Sequence, residues 1–257
     1  MAEVVIPVYG NAPGLARLLG HLRGHDVILV DDASPDAATR ELVRGCSRRH
    51  GVRAVVHERN LGFPAAANRG ASLVQSDRFF LLNSDVVPFG GWDTAMSRAL
   101  DERARAAAVG ALLLFPDGIT VAHAGIEIGS EGIPVHRYRY FTRHAPEVLE
   151  PRELDMITYA AILLRTAPFR ELGGLDEGFG FGMYDDCDMG LRFVEAGWSS
   201  VYEPSAVFIH EESASFGLRP DDLEIRIKGK ERFLEKWVRS GRLARLGGGR
   251  WAVGGGR

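Results

Sequence analysis

Three carboxylates stand within four residues, Asp185, Asp186 and Asp188, directly behind the glycine- and aromatic-rich segment GGLDEGFGFGMY that begins at Gly173. Acids in that setting can take a proton from a reacting hydroxyl, face a cation, or cap a helix and complement its dipole. The last effect is worth about 0.3–1 kcal/mol each. Capping needs one or two acids. Three repel one another, so at least one is expected to have a raised pKa or a cationic neighbour, and both conditions favour a reacting site. Gly178, Gly180 and Gly182 let the preceding loop move or approach a ligand closely. Met189, Phe193 and Val194 recur at roughly helical spacing, which puts the acids in the first turn of a helix with a buried face.

A second set of polar residues follows short apolar runs. From Glu3 to about Leu82 such runs alternate with amphipathic stretches: Glu3 to Pro7, Gly14 to Leu22, Val27 to Val30, Thr39 to Arg48, Ala54 to His57, Pro64 to Val74, then Phe79 to Leu82. This alternation predicts an α/β fold with a parallel sheet covered on both faces. Ligands of such sheets bind beyond the carboxyl ends of the strands. The residues there are Val8 and Tyr9, Asp31 and Asp32, Arg59 and Asn60, and Asn83, Ser84 and Asp85. After Trp92 the pattern predicts a helix, the apolar run Ala107 to Phe115, and a hairpin arm over Gly118 to Gly129 entered through the turn PDG. The segment HRYRYFTRH, His136 to His144, reads either as the lining of a groove or as a solvated connector. Asp155 to Arg165 reads as a strand, and Pro168 opens a short helix.

Composition narrows the partners. The chain has 257 residues, 46 % of them apolar, enough for one large α/β domain with a short tail. The net charge of −3 gives no basic face for bulk nucleic-acid binding. Cys46 and Cys187 have neither metal-ligand spacing nor a disulfide framework, which suggests a reducing compartment. The opening MAEVVIPVY lacks the character of a signal peptide, and no apolar run approaches 18 residues, so a cytoplasmic location without a transmembrane segment is expected. Residues 219–240 predict an amphipathic helix carrying Phe233, Leu234 and Trp237 on one side. Residues 241–257 form a tail with four arginines, no acid and two glycine triplets. It reads as a flexible tail, or as a peripheral contact with the inner face of a membrane or with a partner.

Taken in order, VVIPVYGN, VDDASPD, ERNLGFPAAANRGA, LLNSDV, GGLDEGFGFGMYDDCDMGLR and VFIH resemble the inverting family 2 glycosyltransferases with a GT-A fold, over roughly Val4 to Phe216. Within that family the chain is similar to the rhamnosyl- and galactofuranosyltransferase-like members. The resemblance implies a Rossmann-like, mixed but mostly parallel sheet flanked by helices, spanning residues 1–218, with a nucleotide-binding part to about 115 and an acceptor-binding part to 218. It also implies metal-dependent transfer of a sugar from a UDP or dTDP donor to a hydroxyl of a glycan, lipid-linked or small-molecule acceptor.

The residue roles that the resemblance implies are specific. NSD stands in place of the DxD signature, with Asn83 at the first position and Asp85 as the acid that binds Mn²⁺ or Mg²⁺; His210 is the second protein ligand. Asp31 accepts from the imide of the base, Asp32 contacts ribose or starts the turn, and Pro7, Val8 and Tyr9 flank the base. Arg59 contacts phosphate or base, and Asn68 and Ser84 complete the nucleotide side. Asp186, the second acid of the pair, is the general base, Asp185 positions the acceptor, and Asp188 and Gly182 belong to the acceptor side. Asp188 has a plausible intrahelical partner in Arg192 at i+4. Trp198 and Tyr202 are either a sugar platform or core. Two other readings compete: a sugar-1-phosphate nucleotidyltransferase, which needs a basic phosphate loop that PVYGNAPG lacks, and a binding module without catalysis, which has no use for a base. Oligomeric state is not legible.

Overall fold

The computed structural model describes residues 2–129, 132–211 and 222–247. Strands β1 (Glu3–Val8), β2 (Val27–Asp31), β3 (Val52–Val56) and β4 (Arg78–Leu82) alternate with helices α1 (Ala12–His21), α2 (Ala37–Cys46) and α3 (Phe63–Leu73). β5 (Val86–Pro88), α4 (Trp92–Asp101) and β6 (Ala106–Leu114) follow, then the short strands β7 (Val121–His123), β8 (Ile126–Ile128), β9 (Pro134–His136) and β10 (Arg152–Leu154). β11 (Ala161–Arg165), α5 (Thr166–Glu171), α6 (Asp185–Glu195) and β12 (Ser199–His210) complete the sheet and its cover. α7 (Asp222–Phe233), a π-helical stretch over Leu234–Arg239, and α8 (Arg242–Gly247) close the described chain.

The main sheet is mixed, in the order β10-β12-β6-β11-β4-β1-β2-β3, with β5 on β12 and β7 on β6. Strands β3, β2, β1 and β4 are mutually parallel, and β12 is parallel to β6, while β11 joins the two groups antiparallel to both neighbours. Every residue of β1 and β2 is buried. That is why their sequences are continuous apolar runs rather than alternations. One core layer packs beneath α1, α2 and α4 and a second beneath α3, α5 and α6. The alanines of α3 explain its close fit: Ala66 and Ala67 have no exposed surface, and a Cβ added at Gly70 would stand 2.2 Å from Val5 Cγ1.

Three details differ from the sequence expectation. Residues 155–160 are not strand; β11 starts only at Ala161, and α6 packs so closely on this segment that a Cβ added at Gly190 would stand 2.5 Å from Asp155 O. The single C-terminal amphipathic helix is instead α7 followed by the π-helical stretch, although Phe233 and Trp237 are buried as its periodicity requires. The tail expected to be flexible from 241 begins with α8: Leu243 is buried, and Arg242 pairs with Glu195 while its guanidinium lies 4.1 Å from the Trp237 ring centroid. Residues 248–257 lie outside the described chain. Among the described residues no helix is long and apolar enough to cross a membrane.

Candidate active site

Beyond the carboxyl ends of β1 and β4 lies a cleft of about 560 Å³, walled by residues from both halves of the sequence. Pro7, Val8 and Tyr9 line it from the end of β1, and Ser84 and Asp85 line it from the β4–β5 turn. Register explains the convergence. Val8 is level with Asp31 across the parallel β1–β2 pair, and the Asp32 N–H continues the ladder to Val8 O at 2.8 Å.

The two acids after β2 therefore have different surroundings. Asp31 is 1 % exposed, accepts the Ser34 N–H at 2.8 Å, and is not among the residues that wall the cleft. Asp32 does wall it. Its carboxylate accepts the N–H groups of Leu61 and Gly62, at 2.9 and 2.7 Å, and sits 2.7 Å from His57 Nδ1. It thereby fixes the turn before α3.

The remaining members of that motif are placed differently from one another. Arg59 is exposed and lies outside the cleft wall. Asn68 is used by the scaffold: its amide donates to Leu175 O at 2.9 Å and accepts the Leu175 N–H at 2.8 Å. Gly62 has φ +94°, and a Cβ there would lie 2.1 Å from Gly180 O. Gly62→Ala must move the backbone of the 180–184 loop, so a loss of at least about 2 kcal/mol in denaturant unfolding is expected.

Asp85 and His210 come together through strand pairing. β5 runs antiparallel to β12 with Val86 opposite His210, and the Glu211 N–H donates to Asp85 O at 3.1 Å. His210 Nε2 then lies 3.3 Å from Asp85 Oδ1, both on the cleft wall. One carboxylate and one imidazole make a donor set suited to Mn²⁺. No cluster of three His, Cys, Asp or Glu side chains exists among the described residues, so further ligands would be substrate oxygens or water. Beside them, Asn83 Oδ1 is buried without a protein partner.

The acids of α6 are presented by a loop of unusual conformation. Gly180 and Gly182 have φ +68° and +115°, and Met183 and Tyr184, which are not glycine, follow at +75° and +67°. Consecutive left-handed residues cost on the order of 1–3 kcal/mol each and persist where the surroundings enforce them. Here Gly62 backs the loop on one side, and Gly229 of α7 comes within 3.0 Å of Met183 O when given a Cβ. Asp176 ties α7 and the π-helical stretch to this region through Arg232 and Lys236, at 2.8 and 2.7 Å. Burial opposes its ionisation, yet those bonds and the Gly178 N–H hold its carboxyl at about 2.

Asp185 and Asp186 line the cleft, with Gly182 beside them, and Asp188 does not. Asp188 has no exposed surface; it accepts from Trp237 Nε1 at 2.8 Å and Arg192 Nε at 2.8 Å and pairs with Lys236 at 2.7 Å. It anchors the C-terminal helices, not an acceptor. Asp186 Oδ1 accepts the Cys187 N–H at 2.7 Å. Asp185 is 3 % exposed with Oδ2 unpartnered, and burial, then the charge of Asp186, raises its carboxyl well above the ordinary range. Burial and the neighbouring Asp186 charge thus both favour the protonated form of Asp185.

Asp185 also makes stability depend on pH. In the native state it holds its proton while the unfolded chain releases it above about 3.8, so the wild type loses stability as pH rises from there through the raised value. Asp185→Asn is expected to raise stability at neutral pH by on the order of 1 kcal/mol, with the gain vanishing as pH falls toward 4. Thermal unfolding across that range measures it.

Of the His136 to His144 segment, His136 and Arg139 line the cleft. Other cleft residues gave no sequence signal. His123 Nε2 accepts the N–H groups of Gly125 and Thr158, at 3.1 and 3.4 Å, which puts the proton of neutral His123 on Nδ1, 2.9 Å from His136 Nδ1. Burial, then the charge of His136, pushes His123 well below the ordinary histidine value. Tyr159, buried with its hydroxyl unpartnered, and Arg226 of α7 also line the cleft. Sheet registers and helix packing bring these in, and no local pattern marks them. Tyr202 is core, with no exposed surface and its hydroxyl donating to Val148 O at 2.9 Å, while the partly buried Trp198 packs against that core layer.

Comparison with known proteins agrees with this architecture. The model of "Glycosyl transferase family 2" matches residues 3–173. The pre-mycofactocin glycosyltransferase of Mycobacterium tuberculosis is 32 % identical over 214 residues, 81 % of this chain and 42 % of that relative. The chain therefore spans less than half the length of that protein. The N-acetylglucosaminyl-diphospho-decaprenol L-rhamnosyltransferase of the same organism is 31 % identical over 243 residues, 84 % of this chain and 78 % of the relative. Among solved structures, GalNAc-T7 with UDP, GalNAc and Mn²⁺ superposes with a TM-score of 0.74 at 16 % identity, covering 93 % of this chain and 49 % of that one. That likeness is one of fold, the GT-A fold. With the family model matched over most of the chain, and with a cleft built from its strand-end motifs, the chain belongs to glycosyl transferase family 2.

Proposed function

We propose that the chain transfers a sugar, with inversion, from a nucleoside diphosphate donor to an acceptor hydroxyl, using a divalent cation held by Asp85 and His210. The observation that carries this reading is the meeting of three groups in one cleft: the ends of β1 and β4, the Asp85–His210 pair, and the Asp185–Asp186 pair. A bound cation would offset the negative charge that grows on the departing diphosphate. Asp186 takes the proton of the attacking hydroxyl as the new glycosidic bond forms, and a single displacement inverts the anomeric carbon. Neutral Asp185 can donate to an acceptor oxygen and orient it. Pro7, Val8 and Tyr9 flank the base, and UDP and dTDP are the proposed nucleotides.

For the acceptor, the similarity to the N-acetylglucosaminyl-diphospho-decaprenol L-rhamnosyltransferase puts a lipid-linked hydroxyl ahead of free glycans and small molecules. A cytoplasmic site of action goes with that reading. Calorimetry with UDP, dTDP and GDP, each with Mn²⁺ and with EDTA, tests it. Binding of one diphosphate that requires Mn²⁺ is expected. Absence of binding for all three would overturn the transferase reading.

A further inference from the structure

We propose that the face beside the cleft formed by Phe89, Ile119, Tyr140 and Phe141 docks on an anionic lipid bilayer. These side chains are 41 %, 55 %, 72 % and 48 % exposed. The backbone joins them into one surface. Tyr140 N–H donates to Val121 O, Val121 N–H to Phe141 O, and Arg143 N–H to Ile119 O, each at 2.8 Å. The Arg143 guanidinium then lies 5.4 Å from the Phe89 ring centroid and bonds Gly118 O at 3.3 Å, which adds the β5 end to the patch.

The chemistry fits a lipid surface. Aromatic rings mixed with arginines suit the boundary between headgroups and acyl chains, where apolar faces sink and guanidiniums reach phosphate. Tyr140 stacks on Phe115 at 5.6 Å, with the Arg139 guanidinium 4.9 and 5.1 Å from the Phe115 and Tyr140 ring centroids. Charge complementarity favours an anionic partner: from Pro134 to Ala145 there are three arginines and no carboxylate, and although Arg137 pairs with Glu127 at 2.8 Å, Arg139 and Arg143 lie over the aromatic rings of the patch. The nearby Asp117 spends its carboxylate within its own turn, on the N–H groups of Ile119 and Thr120 and the Thr120 hydroxyl.

Because Arg139 belongs both to this face and to the cleft wall, docking would bring the cleft mouth to the headgroups. A lipid-linked acceptor could then present its hydroxyl without leaving the bilayer. That use rests on the proposed transferase reading, whereas docking itself is read without substrate.

The test is co-sedimentation of the full chain with vesicles of phosphatidylcholine alone and with added phosphatidylglycerol. Salt-sensitive binding to the anionic vesicles is expected. Tyr140→Ser with Phe141→Ser should weaken it at least about tenfold and Arg143→Gln about fivefold, while Mn²⁺-dependent nucleotide binding stays unchanged. An exposed apolar site elsewhere, Val56→Ser, should bind as the wild type does. Should the double variant fail to fold, Tyr140→Trp supplies a second readout. Relative to the wild type, its added emission should shift blue on anionic vesicles and be quenched by brominated lipid. Wild type left in the supernatant, full binding by the double variant, or added emission from Tyr140→Trp that neither shifts nor is quenched would overturn the proposal. So would a patch that mediates self-association with no vesicle binding.

Discussion

Asp186→Asn is expected to lower transfer by at least roughly 10²-fold while leaving donor affinity near that of the wild type. The amide keeps the size of the carboxylate and can still accept the Cys187 N–H through its oxygen, so the N-terminus of α6 stays in place. What it loses is the capacity to take a proton. Asp185 is a poor substitute, because burial, the largest cause opposing its ionisation, persists after the Asp186 charge is gone. Asp188 is held by Trp237, Arg192 and Lys236 away from the cleft. Calorimetry with the nucleotide and single-turnover kinetics with donor and acceptor separate the two effects: affinity should hold while the chemical step slows. Near-normal transfer would move the base elsewhere and would sink the assignment of Asp186.

The reach of the sequence is visible in those same acids. A helix starting behind the glycine loop was legible, because Met189 and Phe193 repeat with the helical period and are both fully buried. The division of labour among the acids was less so. Asp188 reads like its neighbours in sequence, but its position one turn into α6 turns it toward Trp237, and only the packing of the C-terminal helices decides that. Asn68 is a similar case, since its partner Leu175 lies 107 residues away. The parallel half of the sheet was legible because its strands are continuous apolar runs. Residues 155–160 also looked like strand, but they pack against Gly190 of α6, a long-range contact invisible to any local pattern. His123, Tyr159 and Arg226 reach the cleft through long-range packing alone.

Asp85→Ala should abolish most of the Mn²⁺-dependent part of nucleotide binding, by at least roughly 10²-fold, since loss of even an outer-shell partner of a metal site typically costs 10–100-fold. With EDTA the variant and the wild type should bind alike. His210 sharpens the test. Its ring nitrogen stands 3.3 Å from the Asp85 carboxylate, close enough for both to share one ion, but the same distance would serve a simple carboxylate–imidazole pair. A double-mutant cycle distinguishes the two. If both residues hold the cation, His210→Ala alone should weaken Mn²⁺-dependent binding, and Asp85→Ala with His210→Ala should lose little more than the worse single variant. If His210 only orients Asp85, His210→Ala should leave most of the metal dependence intact and His210→Gln should restore the rest. An Asp85→Ala variant that kept full metal-dependent affinity would remove the β4–β5 turn from the metal site. The burden would then fall on substrate oxygens and His210, a donor set too sparse for the tight octahedral shell that such cations favour.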